Sequence, residues 1–140
     1  MNDPIRSAME KHALKPDFDS LLKLAAVLRS PEGCPWDQEQ TMASLKDKLE
    51  EELAEVYEAV DRDHPEDISA EIGDLLFDIA ILVRIAAEKG HVDPARMFDT
   101  TLRKYISRHT WVFGDDKADS PEEAIALWKR NKAQEKQTAG

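Results

Sequence analysis

Two consecutive stretches, LKDKLEEELAEVYEAV (45–60) and ISAEIGDLLFDIAILVRIAAE (68–88), decide how this chain is read. In the first, Leu45, Leu49, Leu53, Val56 and Val60 recur every three or four residues, which is one face of an α-helix and not the alternation of a strand. In the second, Ile68, Ile72, Leu75, Ile79, Leu82 and Ala86 form one such stripe. Phe77, Ile81 and Ile85 form another on a different side. A helix apolar on two sides is buried on two sides, and in a chain of 140 residues the second side is expected to meet another subunit. Asp61-Arg62-Asp63-His64-Pro65 is the turn between the two helices.

Working outward, the same helical spacing continues with capping and stop signals. A first helix starts at Asp17 or Asp19 as N-cap and carries Phe18, Leu21, Leu22, Ala25 and Leu28. It stops before Ser30-Pro31-Glu32-Gly33, and Cys34-Pro35-Trp36-Asp37 is expected to be an irregular loop. The second helix spans about 41–60 and the third about 66–89, with Gly90 closing the third. Asp93-Pro94 opens a fourth, with Phe98, Leu102, Tyr105 and Ile106 expected inward. A loop with Trp111, Phe113 and Gly114 follows, and the capping box Ser120-Pro121-Glu122-Glu123 opens a last helix carrying Ile125 and Trp128. The expectation is an all-α domain over residues 17–138, preceded by a polar, frayed arm over 1–16.

Charge is unevenly placed. The net charge is −10, yet the window from Asp47 to Asp78 holds thirteen carboxylates against Lys48 and Arg62 alone, which more than accounts for the excess. An acidic chain without a basic block is poorly suited to nucleic-acid backbone. The longest apolar stretch, Leu75 to Ala87, is broken by Asp78 and Arg84, so no membrane span is expected. One cysteine, Cys34, cannot form an intrachain disulfide, and the start MNDPIRSAMEKH has no apolar signal core. A cytoplasmic protein is expected.

The acidic window has a pattern. Glu51, Glu52 and Glu55 form E-E-x-x-E, and Glu52 and Glu55 lie one turn apart at the edge of the apolar stripe. Glu71, Asp74 and Asp78, at i, i+3 and i+7, lie between the two stripes of the third helix. A solvated face suffices for Glu50 and Glu58. For the others it is a poor account, because like charges one turn apart repel and clustered, partly buried carboxylates need a cation. Oxygen ligands without cysteine or a paired-histidine motif indicate Mg²⁺, with Mn²⁺ as substitute, over zinc. Mg²⁺ sites leave positions for water and phosphate oxygens, so phosphate chemistry is implied with the metal. Asp61-Arg62-Asp63 starts like an EF-hand loop but has Glu66 where glycine is needed and Ile72 where glutamate is needed. No H-E-x-x-H, P-loop or dinucleotide fingerprint is present. Lys104 and Arg108 share a helix face, and Lys132 follows Trp128 by one turn. By spacing alone these are solvated cations, and Trp36 and Trp128 are core or lid residues.

Taken in order, C-P-W-D (34–37), E-E-x-x-E (51–55), E-x-x-D (71–74), K-x-x-x-R-H-x-x-V-F-G (104–114) and W-x-x-x-K (128–132) resemble the MazG family of nucleoside triphosphate pyrophosphohydrolases. The resemblance implies an all-α NTP pyrophosphatase fold, a four-helix core completed by dimerisation, as a homodimer or a dimer of dimers. It also implies Mg²⁺-dependent hydrolysis of an NTP or dNTP to the monophosphate and pyrophosphate. By the same resemblance Glu52, Glu55, Glu71 and Asp74 are metal ligands, and Glu51 is the first acid of its motif. Lys104, Arg108, Trp128 and Lys132 would take the phosphates and nucleoside, and Glu51, Glu52, Glu55, Lys104 and Arg108 form the catalytic set. Trp36 is an additional candidate. Asp78 is another, standing where the family usually has an uncharged residue and adding a ligand or a charge. Ser107-Arg108-His109-Thr110-Trp111 departs from the usual R-R-H-P-H. Either Glu52 or Glu55 would orient or deprotonate the attacking water. The alternatives are a related substrate, dUTP or phosphoribosyl-ATP, and a catalytically silent helical dimer acting as a regulatory module.

Overall fold

The computed structural model describes residues 3–139, with side chains to residue 137; Met1 and Asn2 of the expected arm lie outside the described residues. All the elements are helices: α1 Pro4–Lys11, α2 Phe18–Leu28, α3 Pro35–Glu39, α4 Met42–Arg62, α5 Pro65–Glu88, α6 Pro94–Arg108, α7 Thr110–Phe113 and α8 Pro121–Ala139. The all-α reading stands, and local chemistry explains the starts. Asp17 caps α2 by accepting from Ser20 N. Thr41 and Ser44 cap α4 reciprocally. Asp93 caps α6, with Pro94 in the position where a missing N–H costs nothing. Gly90 takes φ 75 just past α5, a left-handed conformation that glycine adopts freely.

The chain forms two compact units, one through Val92 and one from Asp93. In the first, α5 packs against both α4 and α2. Ala25, Leu45, Ala80, Ile81 and Ile85 form the core, with Leu21, Leu22, Met42, Phe77 and Leu82 against it. Removing a side chain such as Leu45 or Ile85 from water contributes about 1.5–3 kcal/mol. The stripe Phe77, Ile81, Ile85 therefore faces the interior, whereas Ile72 of the other stripe stays 42% exposed. In the second unit α6, α7 and α8 pack on one another. Asn131 of α8, 5% exposed, donates to the Arg108 carbonyl at 3.0 Å and to Thr110 Oγ1 at 2.9 Å, joining α8 to the α6–α7 corner.

Four local expectations change. Cys34-Pro35-Trp36-Asp37 is not irregular, since Cys34 is the N-cap position of α3. The loop containing Trp111 and Phe113 contains α7. Both helices are too short for periodicity to register. Within the polar arm, Asp3 and Pro4 cap and open α1 just as Asp93 and Pro94 open α6. Leu102, Tyr105 and Ile106 do not point inward: they are 62%, 50% and 47% exposed and line an open apolar groove with Val112 and Phe113. A stripe identifies the apolar face of a helix, not what covers it. Among the described residues, no helix is long and apolar enough to cross a membrane.

Candidate functional site

The α4–α5 pairing brings acids from two helices together. Carboxylate oxygens of Glu52, Glu55 and Glu71 lie within 4.8 Å of one another. Glu55 is exposed, and Glu52 and Glu71 are half-buried because they flank the packed side of their helices. Glu52 Oε2, Glu71 Oε2 and Asp78 Oδ2 are covered and have no hydrogen-bond partner. Asp74 is exposed and stands outside the group of three, but its charge acts on Glu52, Glu71 and Asp78. Glu51 is exposed, one residue away on α4, and its charge falls on Asp78.

These acids destabilise one another's charged forms. Burial pushes Glu52 above the ordinary carboxylate range, followed by the charge of Glu55, a proton-sharing contact with it, and the charges of Asp78 and Asp74. Glu71 is raised first by its proton-sharing contact with Glu55, then by burial and by the charges of Glu55, Asp74 and Asp67. Asp78, 7% exposed, is raised by burial, with Lys48 pulling the other way and Asp74, Asp37 and Glu51 adding to the shift. Clustered acids with unsatisfied oxygens are a group that could hold a cation. The donor set, carboxylate oxygen throughout, suits a hard divalent ion.

The predicted cations occupy the second unit. Arg108 is engaged locally: its guanidinium pairs with Glu135 at 3.0 Å and stands 5.3 Å from the Trp128 ring centre. Lys132 Nζ lies 5.0 Å from the same ring centre. Trp128 is thus a platform for two cations, and its half-buried ring is already engaged. Lys104 Nζ lies 5.6 Å from the Tyr105 ring centre. His109 Nδ1 is 2.6 Å from the Tyr105 carbonyl, and its ring lies 4.9 Å from that of Trp111. In the first unit Trp36 is 55% exposed, with Lys48 Nζ 5.6 Å from its ring centre.

Residues 40–113, more than half of the chain and including both acidic motifs, match the family model of the MazG nucleotide pyrophosphohydrolase domain. The chain belongs to this family. As a MazG-family domain it is 38% identical over 120 residues to a nucleoside triphosphate pyrophosphohydrolase of Escherichia coli K12, covering 85% of this chain and 46% of that one. It is 40% identical over 119 residues to the Thermotoga maritima nucleoside triphosphate pyrophosphohydrolase/pyrophosphatase MazG, covering 85% and 45%. The chain thus spans under half the length of these curated relatives. The crystal structure of a MazG-related protein from Thermotoga maritima superposes with a TM-score of 0.70 at 30% identity, over 82% of this chain and 98% of that one.

Two engaged residues escaped the sequence reading, Arg29 and Glu88, and Asp37 was read only as part of C-P-W-D. Asp37 is 8% exposed, although it sits in a segment read as a loop. Arg29 and Glu88 pair at 2.8 Å across 59 positions of sequence, and no local pattern announces such a pair.

Proposed function

We propose that this MazG-family chain is a Mg²⁺-dependent nucleoside triphosphate pyrophosphohydrolase that cleaves the α–β phosphoanhydride of an NTP or dNTP. The observation that carries the reading is the convergence of Glu52, Glu55 and Glu71 with covered, unpartnered oxygens on two of them. Those three residues would hold the ion, with Asp74 at their border. Bound there, Mg²⁺ supplies Lewis acidity toward phosphate oxygens and lowers the pKa of water. The chain's own contribution is positional. Glu52 or Glu55, one turn apart on α4, would orient a water and accept its proton, and pyrophosphate is the leaving group. Lys104, Arg108 and Lys132 would carry the charge needed against phosphate oxygens, with Arg108 and Lys132 each set against the Trp128 ring.

The names of the relatives support the substrate class, and the all-carboxylate donor set supports the metal. The test is phosphate release over a panel of nucleotides in the presence of inorganic pyrophosphatase, with Mg²⁺ or with EDTA. Release that requires both Mg²⁺ and the added pyrophosphatase is expected. Release from no nucleotide rejects the reading.

The same reading includes a homodimer or a dimer of dimers. Leu53, Tyr57 and Val60 on α4 and Ile72 and Leu76 on α5 are each more than one-third exposed, an apolar expanse that an isolated chain would leave in water. Light scattering coupled to size exclusion checks this, and a monomer at micromolar concentration rejects it.

A further inference from the structure

Helix α3 has five residues and makes no extended packing with another helix. Polar contacts hold it. Cys34 N donates to the Leu28 carbonyl at 2.7 Å, and Gln38 Nε2 donates to the Ser30 carbonyl at 2.6 Å. Gly33 passes so close to the end of α2 that a Cβ there would lie 2.3 Å from the Leu28 carbonyl oxygen. Arg29, at the end of α2, closes the arrangement. Its Nη2 donates to the Glu88 carboxylate at the end of α5, at 2.8 Å. Its Nη1 donates to the carbonyls of Asp37 and Gln40, the latter at 3.1 Å, at the far end of α3.

The ion pair with Glu88 is not what makes Arg29 distinctive. Arg84 Nε also donates to Glu88, at 3.2 Å, so Glu88 keeps a cation without Arg29. Among the described residues, no other guanidinium reaches the two α3 carbonyls. A planar guanidinium can grip a carboxylate with one edge and two carbonyls with another, which an ammonium cannot reproduce.

Helix α3 also borders the acidic cluster. Trp36 lies against Lys48, and Lys48 stands one turn before Glu52 on α4. The charge of Asp37 acts on Asp78, and the charge of Asp78 acts on Glu52.

We propose that Arg29 is a positioning residue for nucleotide binding: it fixes α3 so that Trp36 and Asp37 keep their places beside the carboxylate cluster. The binding role rests on the pyrophosphohydrolase reading above. The hold on α3 rests on geometry alone.

The test uses the full chain labelled with 5-fluorotryptophan, whose three tryptophans give three fluorine signals. The Trp36 signal is the one lost in Trp36→Phe. In Arg29→Lys, the Trp36 signal shifts and broadens while those of Trp111 and Trp128 stay. For a nucleotide that the panel identifies, KM rises about 10-fold and kcat stays within about 2-fold, the pattern of lost binding without lost chemistry. Glu88→Gln, which leaves Arg29 an acceptor, keeps the Trp36 signal and KM at wild-type values. Should Arg29→Lys unfold by circular dichroism, Arg29→Gln, which loses the grip on the two carbonyls while Arg84 keeps Glu88 paired, is judged by the same two measurements. A wild-type Trp36 signal in the released variant overturns the proposal, and so does a shifted signal with unchanged KM. A panel in which the wild-type protein hydrolyses nothing rejects the pyrophosphohydrolase reading and the binding role with it, while the fluorine signal still decides the hold on α3.

Discussion

The same side chain is in opposite electrostatic states at two places in this molecule. Glu88 sits between Arg29 and Arg84, and its carboxyl is held below the usual range by hydrogen bonding and charge. Glu135 is likewise lowered, through Ser107 and Arg108. Glu52 and Glu71 have no such partner and are pushed upward by burial, by contact with Glu55 and by one another's neighbours. Where the chain supplies its own cation, glutamate links helices. Where it withholds one, burial and neighbouring acids oppose the glutamate's charge, and under the proposed function an ion from solution would relieve it. That difference separates the architectural acids from the candidate chemical ones better than position along the chain does.

The comparison can be broken first at Glu71. Glu71→Gln should lower Mg²⁺-dependent turnover by roughly two orders of magnitude or more while the fold survives. Without metal, its thermal midpoint at neutral pH should be no lower than wild type, since a repelled charge has been removed. Wild-type turnover in this variant removes Glu71 from the site.

Metal linkage gives the next largest effect. At Mg²⁺ about 100-fold over its dissociation constant, a folded-state site stabilises by about 2.7 kcal/mol, several degrees in thermal midpoint. Glu52→Gln should abolish most of that rise, as measured by calorimetry with and without EDTA.

The pH dependence should then divide into two limbs. Glu52 and Glu71 have folded pKa values raised above 4.5, so their ionisation penalty is full above the raised values and disappears below 4.5. In EDTA, these acids make stability increase as pH falls toward about 5. Glu88 and Glu135 are depressed below 4.5, so their contribution is present above 4.5 and is lost as pH falls through the depressed values. Mg²⁺ should flatten the first limb and leave the second. Glu88→Gln should shallow the second limb, at a cost near neutral pH of about 1 kcal/mol or less. Thermal melts from pH 3 to 8 read both.

The smallest effect is expected at Glu58, an exposed acid on the solvent side of α4. Glu58→Gln should change stability by no more than about 0.5 kcal/mol and turnover by less than about 2-fold. A larger loss would extend the chemical region beyond the cluster.

Much of this was readable from the chain itself. The long helices α4 and α5 follow from Leu45, Leu49, Ile81 and Ile85 at helical spacing, and the helix starts follow from Asp17, Thr41 and Asp93. The acids were legible because E-E-x-x-E and E-x-x-D place side chains one turn apart whatever the tertiary structure. Other features were not legible, each for a reason. Helices α3 and α7 are shorter than the window in which a period can be counted. Asp3-Pro4 was a cap signal hidden by the polarity of α1 itself, where Arg6, Ser7, Glu10 and Lys11 surround a stripe of only Ile5, Ala8 and Met9. Leu102, Tyr105 and Ile106 formed a correct stripe on a face that is left uncovered.

Local order therefore determined the helices, their ends and the turn-by-turn spacing of the acids, because those depend on residues within a few positions of one another. Which stripe of α5 went inside, which acids met, and which found arginine were tertiary decisions. Glu52 and Glu71 converge only because α4 packs on α5, and Arg29 reaches Glu88 only because α2 does. Burial and charge pairing depend on distance in space, and the distance between residues far apart in the chain exists only once the helices have packed.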